Sequence, residues 1–476
     1  MIDLFYFNGL PVAVLGLGVS GLAAAKALQR AGAEVSAWDD NPDKRARAEA
    51  DGVPIVDLAT CDWTQHTSLV ISPGIPHDRP EPHPVAALAK QHGCEVIGDI
   101  ELLARAQRGA SYVGVTGTNG KSTTTALIGH VLELSSRAVQ TGGNIGVPVL
   151  EFEPLEAGGI YVLELSSYQL ETIVSITYDV AVLLNVSADH LDRHGGFDGY
   201  VKAKRLVFHR QTKPRSAVIG VDDETCRGIW QELAAADDQT VIPISGTTAV
   251  AGGVYVRNGT LIDDTDGQAT AVLDLNEVAS LPGVHNWQNA AAAYAACKAL
   301  SVDPPVIAAC LRSFPGLAHR QELIAVIDGI AYVNDSKATN GDAAAKALAC
   351  YGAIYWIAGG QAKETGLEGL EAFYGKIAHA FLIGEAEAAF AQALDGQVAH
   401  SRCGDLTQAL DAARKHALAE AKPEAVVLLS PACASFDQYE NFEARGEAFR
   451  HLVEALPGER SDLETAPGAP SGGLRQ

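Results

Sequence analysis

Residues 112–125 carry the pattern most directly suited to chemistry. β-branched apolar residues lead into the letters TGTNGKST, and Thr, Ala and Leu then recur at helical spacing, which predicts a strand, a tight loop and a helix start. The backbone N–H groups of such a loop face an anion, Lys121 adds a positive charge, and the Ser122 hydroxyl can bind Mg²⁺. Val115 stands where the strict G-x-x-x-x-G-K-[ST] pattern has its first glycine, so the match is to a shorter form of the phosphate loop.

Two further segments place polar residues directly after buried strands. Glu164 follows the apolar run 160–163, where a carboxylate behind a phosphate loop is expected to hold Mg²⁺, although an acid at a helix N-terminus is the alternative. A later loop carries two histidines and two aspartates: Asp189, His190, Asp192 and His194. These side chains could bind a metal or relay protons, whereas a single histidine in such a place is more often structural.

The start of the chain contains another glycine-rich loop. A buried strand at 12–15 leads into GLGVSG at 16–21, and a helix and a strand ending at Asp39 follow. This fingerprint is typical of a Rossmann unit, in which a phosphate lies on the helix N-terminus and the acid binds a ribose. By itself it favours a nicotinamide or flavin enzyme. A strand at 68–71 ends at a Ser-Pro-Gly turn, either a further ligand contact or a plain turn.

The last third of the chain repeats the arrangement of strand and polar loop. Strands predicted at 331–333, 353–358 and 426–429 each end in polar residues, which should meet at one edge of a parallel sheet. Before them, an Asn-Gly pair predicts a hairpin over 254–262, and therefore a small antiparallel sheet. An alanine-rich helix follows, with Asn286 and Asn289 on one face of its first turn.

Lys204 lies on the apolar face of a predicted helix. Tyr200, Lys204, Val207 and Phe208 fall at i, i+4, i+7 and i+8, so this lysine should point inward, whereas Lys202 should face solvent. Burial lowers the pKa of a lysine, and the neutral amine can react with CO₂ to form a carbamate.

Composition restricts the function classes. The 476 residues carry a formal net charge of −23 and no Lys/Arg-rich run, so nucleic acid is not expected as a partner. The eight cysteines form no C-x-x-C pair, which predicts reduced thiols in a cytoplasmic protein. No apolar run is long enough for membrane insertion and the start of the chain lacks signal-peptide features, so we expect a soluble protein, and a monomer.

The length and the order of motifs predict an α/β protein of three domains. A Rossmann-like domain is expected at 1–99 and a central P-loop ATPase-like domain with the small antiparallel sheet at 100–317. A C-terminal Rossmann-like domain is expected at 318–457. The Pro/Gly/Ser-rich residues 458–476 are expected to be a disordered tail.

Ten segments together resemble the Mur ligases over nearly the whole chain. They are GLGVSG at 16–21, SPGIP at 72–76, TGTNGKST at 116–123, GGNIG at 142–146, LELSSYQLE at 163–171, DH at 189–190, PGVHNWQN at 282–289, HRQE at 319–322, NDSKATN at 334–340 and SPACASFDQYENF at 430–442. The phosphate loop alone would fit any Mur ligase or folylpolyglutamate synthetase. GLGVSG, NDSKATN and SPACASFDQ are similar to the members that add D-glutamate to UDP-N-acetylmuramoyl-L-alanine.

The resemblance implies a reaction and a set of site residues. ATP would phosphorylate the alanyl carboxylate, and the amine of D-glutamate would displace the phosphate in a cytoplasmic step of peptidoglycan synthesis. The ATP phosphates would lie on Gly117, Thr118, Asn119, Gly120, Lys121, Ser122 and Thr123, and the base and ribose near Asn286, Asn289, Arg320 and Asp335. The UDP-sugar would contact Leu17, Ser20, Asp39, Gly74 and Asn144, and D-glutamate would contact Thr339, Lys363, Ser435 and Phe442. Two Mg²⁺ ions are implied, one on Ser122 and Glu164 and one shared by His190 and a carbamylated Lys204.

Two departures from the family pattern and two competing interpretations remain. Asp40 replaces a small hydroxyl residue at the uridine site, and Gln361-Ala362 stands where a more glycine-rich loop is familiar. A dinucleotide-dependent oxidoreductase, or a cofactor-binding regulatory protein without catalysis, would explain residues 16–39 but neither the second phosphate loop nor the third domain.

Overall fold

The computed structural model describes residues 1–278, 280–362 and 366–461, which divide into two compact units. The first unit contains residues 1–257, 261–272 and 288–311, and the second contains 258–260, 273–287 and 312 onwards. The strands form three sheets. The architecture is therefore the predicted mixed α/β class, whereas the exact domain boundaries stay a prediction.

The first sheet is a four-stranded parallel sheet near the start of the chain. Its strands are β1 (Pro11–Leu15), β2 (Glu34–Trp38), β3 (Ser68–Ile71) and β4 (Glu95–Ile97), in the order β2-β1-β3-β4. The associated helices are α1 (Val19–Arg30), α2 (Pro42–Ala50), α3 (Pro84–Gln91) and α4 (Asp99–Ala106). Residues 12–15 and 68–71 are buried throughout, because helices cover both faces of a parallel sheet.

The second sheet has nine strands and contains the phosphate loop. The strands are β5 (Ser111–Thr116), β6 (Val139–Gly143), β7 (Ile160–Glu164), β8 (Val180–Leu183), β9 (Ser216–Gly220), β10 (Thr240–Ser245), β11 (Val254–Arg257), β12 (Thr260–Asp263) and β13 (Thr270–Asp274). They lie in the order β13-β12-β11-β10-β9-β8-β5-β7-β6. The predicted Asn-Gly hairpin connects β11 and β12, and it extends this sheet because β10 pairs in parallel with β11.

Helices along this central part of the chain connect the strands. They are α5 (Lys121–Leu134), α6 (Ser167–Leu170), α7 (Leu191–His194), α8 (Phe197–Arg205), α9 (Glu224–Ala236), α10 (Val284–Ala299) and α11 (Pro304–Arg312). The helix α5 leaves β5 through the phosphate loop, and α8 carries Lys204 on its buried side, as its helical spacing predicts. Within the part of the chain that the structure describes, no helix is long and apolar enough to cross a membrane.

The third sheet has seven strands and lies in the second unit. The strands are β14 (Glu322–Ile327), β15 (Ile330–Asn334), β16 (Ala353–Gly359), β17 (Ile377–Ile383), β18 (His400–Gly404), β19 (Ala425–Leu429) and β20 (Arg460–Ser461). The helices are α12 (Gly341–Cys350), α13 (Glu387–Leu394), α14 (Leu406–Glu420) and α15 (Phe442–Glu454). Strands β15, β19 and β16 are parallel neighbours, which confirms that their three polar loops share one edge.

The predicted disordered tail is wrong at its beginning. Residues 460 and 461 form β20, which pairs antiparallel with β14. The Glu459 N–H donates to Asp328 Oδ1 at 2.9 Å, and Arg460 donates to the Val453 and Glu454 carbonyls. These contacts hold in place a segment that its composition predicts to be disordered. Residues 462–476 lie outside the described part of the chain.

One buried carboxylate joins α4 to the segment after α6 in the first unit. Glu101 is fully buried, and its Oε2 accepts the N–H groups of Val174 and Ser175, each at 2.9 Å. Its Oε1 accepts Arg105 Nε at 2.8 Å, and Arg105 also pairs with Glu95. A buried charge that is hydrogen-bonded on both oxygens tolerates no loss of a partner, so this side chain fixes the two segments against each other.

We expect Glu101→Ala to destabilise the first unit by about 2–4 kcal/mol, because two buried N–H groups and one guanidinium contact lose their acceptor. Glu95→Ala is the matched control: it removes the other carboxylate on Arg105, but this pair is partly exposed and is worth about 0–1 kcal/mol. Differential scanning calorimetry of both variants checks this. Equal decreases in melting temperature would contradict the assignment of Glu101 as the joining residue.

Candidate active site

The phosphate loop of the first unit connects β5 to α5. Gly117 and Gly120 adopt φ of +154° and +85°, and α5 begins at Lys121, so the loop N–H groups and the helix N-terminus point to one side. At Gly120 a Cβ atom would collide with Asn289 Oδ1. Glycine is therefore required there by both conformation and space.

A single asparagine holds the tip of this loop. The Asn185 side chain accepts the Asn119 N–H at 2.9 Å and donates to the Asn119 carbonyl at 3.1 Å, and the Asn185 carbonyl accepts the Thr118 N–H at 2.8 Å. Gln288 accepts a hydrogen bond from Asn185 and donates to Asp222 at 2.8 Å. These hydrogen bonds within the protein fix the conformation of the loop, as preorganised binding requires.

Two lysines converge on one backbone oxygen. Lys121 Nζ donates to the Gly117 and Thr118 carbonyls at 3.0 and 2.8 Å, and Lys204 Nζ donates to the same Gly117 carbonyl at 2.7 Å. Lys204 is 2% exposed, and its ammonium also lies 4.6 Å from the centre of the Tyr200 ring. Burial, together with the charge of Lys121, lowers the pKa of Lys204 to about 7, so much of this amine is neutral at physiological pH.

Glu164 ends β7 and presents an unpaired oxygen. The side chain is buried, and its Oε1 accepts Asn144 Nδ2 at 2.9 Å, whereas Oε2 is buried without a hydrogen-bond partner. Such an oxygen requires a partner, and a hard cation such as Mg²⁺ is one that a carboxylate ligates. Ser122, buried at the start of α5, would supply a hydroxyl for the same ion. The residues present thus fit a magnesium ion. Asn144, which the sequence assigns to the UDP-sugar, thus also orients the Glu164 carboxylate.

The two histidines of the segment 189–194 have different environments. His194 is buried, with Nδ1 at 3.1 Å from Glu171 Oε1 and Nε2 at 2.9 Å from Ser167 Oγ, and burial lowers its pKa. This residue is therefore structural. His190 is exposed, adopts φ of +50°, and has Nε2 at 3.5 Å from Asp189 Oδ2. Among the described residues, no group of three or more His, Cys, Asp or Glu side chains could hold a metal.

The loops of the first sheet lie at its carboxyl edge, where ligands bind in such sheets. The buried Asp39 accepts the N–H groups of Leu17 and Asn41 at 2.7 and 2.9 Å, so its carboxylate shapes the glycine loop. Ser20 lies in the first turn of α1, and Gly74 is exposed in the turn after β3. Asp40, which departs from the family pattern, pairs with His83 at 2.9 Å, and this hydrogen bond lowers the pKa of Asp40.

In the second unit, a buried acid follows β15. Asp335 accepts Ser430 Oγ at 2.7 Å and the Gln321 N–H at 3.2 Å. Burial raises the pKa of Asp335 to about 7, and the charge of the nearby Arg320 offsets only part of that effect. Asn286, at the start of α10, donates to the Pro282 carbonyl at 2.8 Å, so it terminates the preceding turn. Asn289 lies in the first unit, where its Oδ1 accepts Thr124 Oγ1 at 3.3 Å.

Three loops of the second unit carry the predicted amino-acid site. Thr339 follows β15 and is half-buried, Ser435 follows β19 and is buried, and Phe442 begins α15. Lys337, which the sequence analysis did not select, has its ammonium 4.2 Å from the centre of the Phe442 ring. The Gln361 and Ala434 backbones exchange two hydrogen bonds and so join the loop after β16 to the loop after β19. Lys363 lies outside the described residues.

Four functional candidates escaped the sequence analysis: Asn185, Gln288, Lys337 and Arg445. The position of Asn185 directly after an apolar strand was a usable signal, as was the occurrence of Lys337 within NDSKATN. Gln288 and Arg445 gave none, because their partners are distant in sequence. The side chain of Arg445 donates to backbone and hydroxyl oxygens of residues 11 to 109 positions away, and the sequence does not reveal the direction of those groups.

Two family models match the chain. Residues 115–297 match the Mur ligase middle domain, and residues 319–433 match the model described as Mur ligase, glutamate ligase domain. Together these matches cover more than half of the chain and include the phosphate loop and the strand edge of the second unit.

Whole-length relatives are named for one activity. The chain is 51% identical to UDP-N-acetylmuramoylalanine--D-glutamate ligase of Rhodospirillum rubrum, over 96% of this chain and 97% of that protein. It is 50% identical to the protein of the same name from a Caulobacter species, over 96% and 98%. The protein of that name from Rhizobium meliloti is 47% identical, over 96% and 99%.

Solved structures share the fold at low sequence identity. UDP-N-acetylmuramate-alanine ligase from Thermotoga maritima superposes with a TM-score of 0.55 and 17% identity, over 94% of this chain and 99% of that one. A pseudomurein peptide ligase type C from Methanothermus fervidus gives 0.53 and 18%, over 94% and 99%. The chain therefore has the three-domain α/β fold of these ligases.

We expect Asp335→Asn to change how stability depends on pH. The raised pKa means that the folded state favours the protonated acid, so its stabilising contribution is complete below the unfolded pKa of 3.8 and is lost as pH rises through about 7. Asparagine imitates the neutral acid. Relative to wild type, the variant should gain on the order of 3 kcal/mol between pH 4 and pH 8.

Asp328→Asn is the control of opposite sign. The Glu459 N–H and Arg414 lower the pKa of Asp328, so this substitution should lose stability at pH 8 and lose less as pH falls. Thermal unfolding of both variants and wild type across this range provides the measurement. A pH dependence of Asp335→Asn parallel to that of wild type would show that Asp335 is ionised in the folded protein.

Proposed function

The chain belongs to the Mur ligase family, and from this premise we propose that it joins D-glutamate to UDP-N-acetylmuramoyl-L-alanine at the expense of ATP. Its whole-length relatives are named for that activity. The structural observation that carries the proposal is the preorganised phosphate loop beside Glu164, whose buried Oε2 lacks a partner. This arrangement suits the transfer of a phosphoryl group and not the transfer of a hydride.

The proposed reaction has two steps. The alanyl carboxylate attacks the γ-phosphorus of ATP, so that an acyl phosphate forms and ADP leaves. The amine of D-glutamate then attacks the acyl carbon, the C–O bond to phosphate breaks, and the amine loses a proton as the amide forms. Such chemistry depends on positioning and on stabilisation of negative charge, which the loop N–H groups and Lys121 supply.

The phosphates of ATP lie on residues 117–123 in this proposal. Mur ligases use ATP with Mg²⁺, which when bound neutralises phosphate charge, and Ser122 and Glu164 would hold one such ion. A second ion would lie on His190 and on a carbamate of Lys204. Asn286, Asn289, Arg320 and Asp335 would contact the base and ribose.

The remaining substrates divide between the proposed domains. Residues 1–99 would bind the UDP-sugar through Leu17, Ser20, Asp39 and Gly74, with Asn144 contributed by the central domain, 100–317. Residues 318–457 would bind D-glutamate through Thr339, Ser435, Phe442 and Lys363. Small molecules are then the partners, and we propose a monomer in the cytoplasm that acts in peptidoglycan synthesis.

The oxidoreductase interpretation loses its support. It depends on the glycine loop at 16–21 and on Asp39, and these residues serve equally well as the proposed contacts of the UDP-sugar. It also leaves the second phosphate loop without a function.

A coupled assay tests the proposal: phosphate release from ATP against a panel of UDP-muramoyl substrates and amino acids. Only UDP-N-acetylmuramoyl-L-alanine with D-glutamate should give rapid turnover, because an apolar amino acid would leave the polar groups of the site unpaired. Lys121→Ala should lower kcat by about 10² to 10³ or more without loss of the fold. Faster use of L-lysine or diaminopimelate would exclude D-glutamate and leave the family intact, whereas near wild-type turnover by Lys121→Ala would exclude this phosphate site.

We propose further that Lys204 carries a carbamate. Its lowered pKa supplies the neutral amine, whose nitrogen forms a bond to the carbon of CO₂ and releases a proton. In the described part of the chain Lys204 makes no ion pair, and its buried position leaves the product anion near Lys121, whose charge would stabilise it.

Lys204→Ala should be nearly inactive and should be partly restored by short-chain carboxylates that replace the carbamate. Lys202→Ala is the matched control, because Lys202 is exposed on the same helix and should stay active. Carbon-13 NMR in labelled bicarbonate gives a readout independent of activity: a carbamate signal should appear in wild type and in Lys202→Ala but not in Lys204→Ala. A free Lys204 amine in a high-resolution crystal with nucleotide and metal bound would refute the carbamate.

A further inference from the structure

Arg445 is the most deeply buried cation of the second unit among the described residues. It lies on α15 and is 1% exposed. Its Nε donates to Ser336 Oγ at 3.0 Å, and its Nη2 donates to the Ser336 and Cys433 carbonyls at 2.8 and 3.1 Å. Its Nη1 donates to the Ala434 carbonyl at 3.3 Å. One guanidinium thus joins three separate segments of the chain.

The segments that Arg445 joins are those that carry the proposed amino-acid site. Ser336 precedes Thr339 by three residues, and Ala434 directly precedes Ser435. Ser336 Oγ also donates to the Phe442 carbonyl at 2.9 Å, so the start of α15 is held by the same group. Arg445 itself is too enclosed by these carbonyls to be counted among the residues that touch a substrate.

The charge of Arg445 has no carboxylate in contact with it. All of its hydrogen-bond acceptors are carbonyl or hydroxyl oxygens, and within the described residues it forms no ion pair. Asp437 is the acidic residue whose charge acts on it, and the Asp437 carboxylate is engaged with the Glu385 N–H. Burial lowers the pKa of Arg445 to about 10, which leaves the guanidinium charged at neutral pH.

A buried cation without a counterion is costly, and the cost decreases when an anion binds nearby. Other buried or half-buried arginines of this unit do have partners: Arg414 pairs with Asp328 and Arg450 with Glu322. Arg445 differs because it has no carboxylate partner and because the loops that it joins carry the proposed contacts of a substrate with two carboxylates.

We infer that Arg445 is a positioning and specificity-determining residue for the anionic amino acid: its fork of N–H groups sets the three loops in place, and its charge favours an acidic over a neutral substrate. The inference rests on the proposed function. Lysine cannot replace the first role, because an ammonium has no planar fork, but it can retain the second.

Two variants separate the two roles. Arg445→Lys should raise KM for D-glutamate about tenfold and keep the preference for D-glutamate over its neutral isostere D-glutamine. Arg445→Gln should raise that KM further and should lower the ratio of the two kcat/KM values about tenfold, because the neutral side chain no longer favours the acid. KM for UDP-N-acetylmuramoyl-L-alanine should change less than about threefold in both, because its proposed contacts lie between residues 17 and 144 and Arg445 is hydrogen-bonded to none of them.

Arg414→Gln is the matched control. It removes an arginine of the same unit whose partners are Asp328, Tyr332 and the Pro457 carbonyl, so it should lower the melting temperature and leave the D-glutamate to D-glutamine ratio unchanged. If Arg445→Gln also leaves that ratio unchanged, Arg445 is only structural and the inference is overturned. If circular dichroism shows that neither Arg445 variant folds, the ratio is measured on Arg445→His at pH 6 and at pH 8. The ratio should be lower at pH 8, where the imidazole has lost its charge. An equal ratio at the two pH values would refute the inference. Failure of wild type to use D-glutamate would overturn the proposed function instead.

Discussion

The first unit depends on one backbone oxygen. The Gly117 carbonyl accepts both Lys121 and Lys204, so the phosphate loop holds two amines at the point where it turns into α5. Burial lowers the pKa of Lys204, and the like charge of Lys121 lowers it further. An anion beside these amines, either a phosphate or a carbamate on Lys204, would offset their positive charge. The backbone of the loop thus holds both amines where the proposed chemistry develops negative charge.

Backbone geometry explains why the loops meet where they do. Each of the three sheets is parallel around its functional edge, so strand ends that are far apart in sequence deliver their polar residues to one side. The buried apolar strands carry no chemistry themselves. Their function is to fix the positions of Glu164, which ends β7, of Asp335, which directly follows β15, and of Ser435, which lies in the loop after β19. Rigid supporting strands allow short loops to hold reactive groups without large conformational cost.

Local signals predicted most of the fold and part of the site. Glycine spacing located the loops, and helical spacing alone placed Lys204 inside, because both patterns depend on neighbours a few residues away. The pairing of β20 with β14 and the contact of Arg445 with Ser336 were not predictable, because each joins residues more than 100 positions apart. Burial separates the two histidines of the segment 189–194: His194 is buried against Glu171 and Ser167, whereas His190 is exposed.

Net charge and local charge have opposite signs in this protein, and this contrast bears on selectivity. The chain carries a formal charge of −23, which repels anionic ligands from most of its surface. Arg445 in the second unit is nevertheless a buried cation whose hydrogen-bond acceptors are carbonyl and hydroxyl oxygens, and Lys121 in the first unit places a second cation at the phosphate loop. An anion gains from such a cation only by reaching it through a site of the right shape, because water and salt screen the charge elsewhere. An anionic ligand therefore binds only where the shape of a site brings it close to a cation, and the rest of the surface repels it. Selectivity for anions thus depends on where the cations lie and not on how many there are.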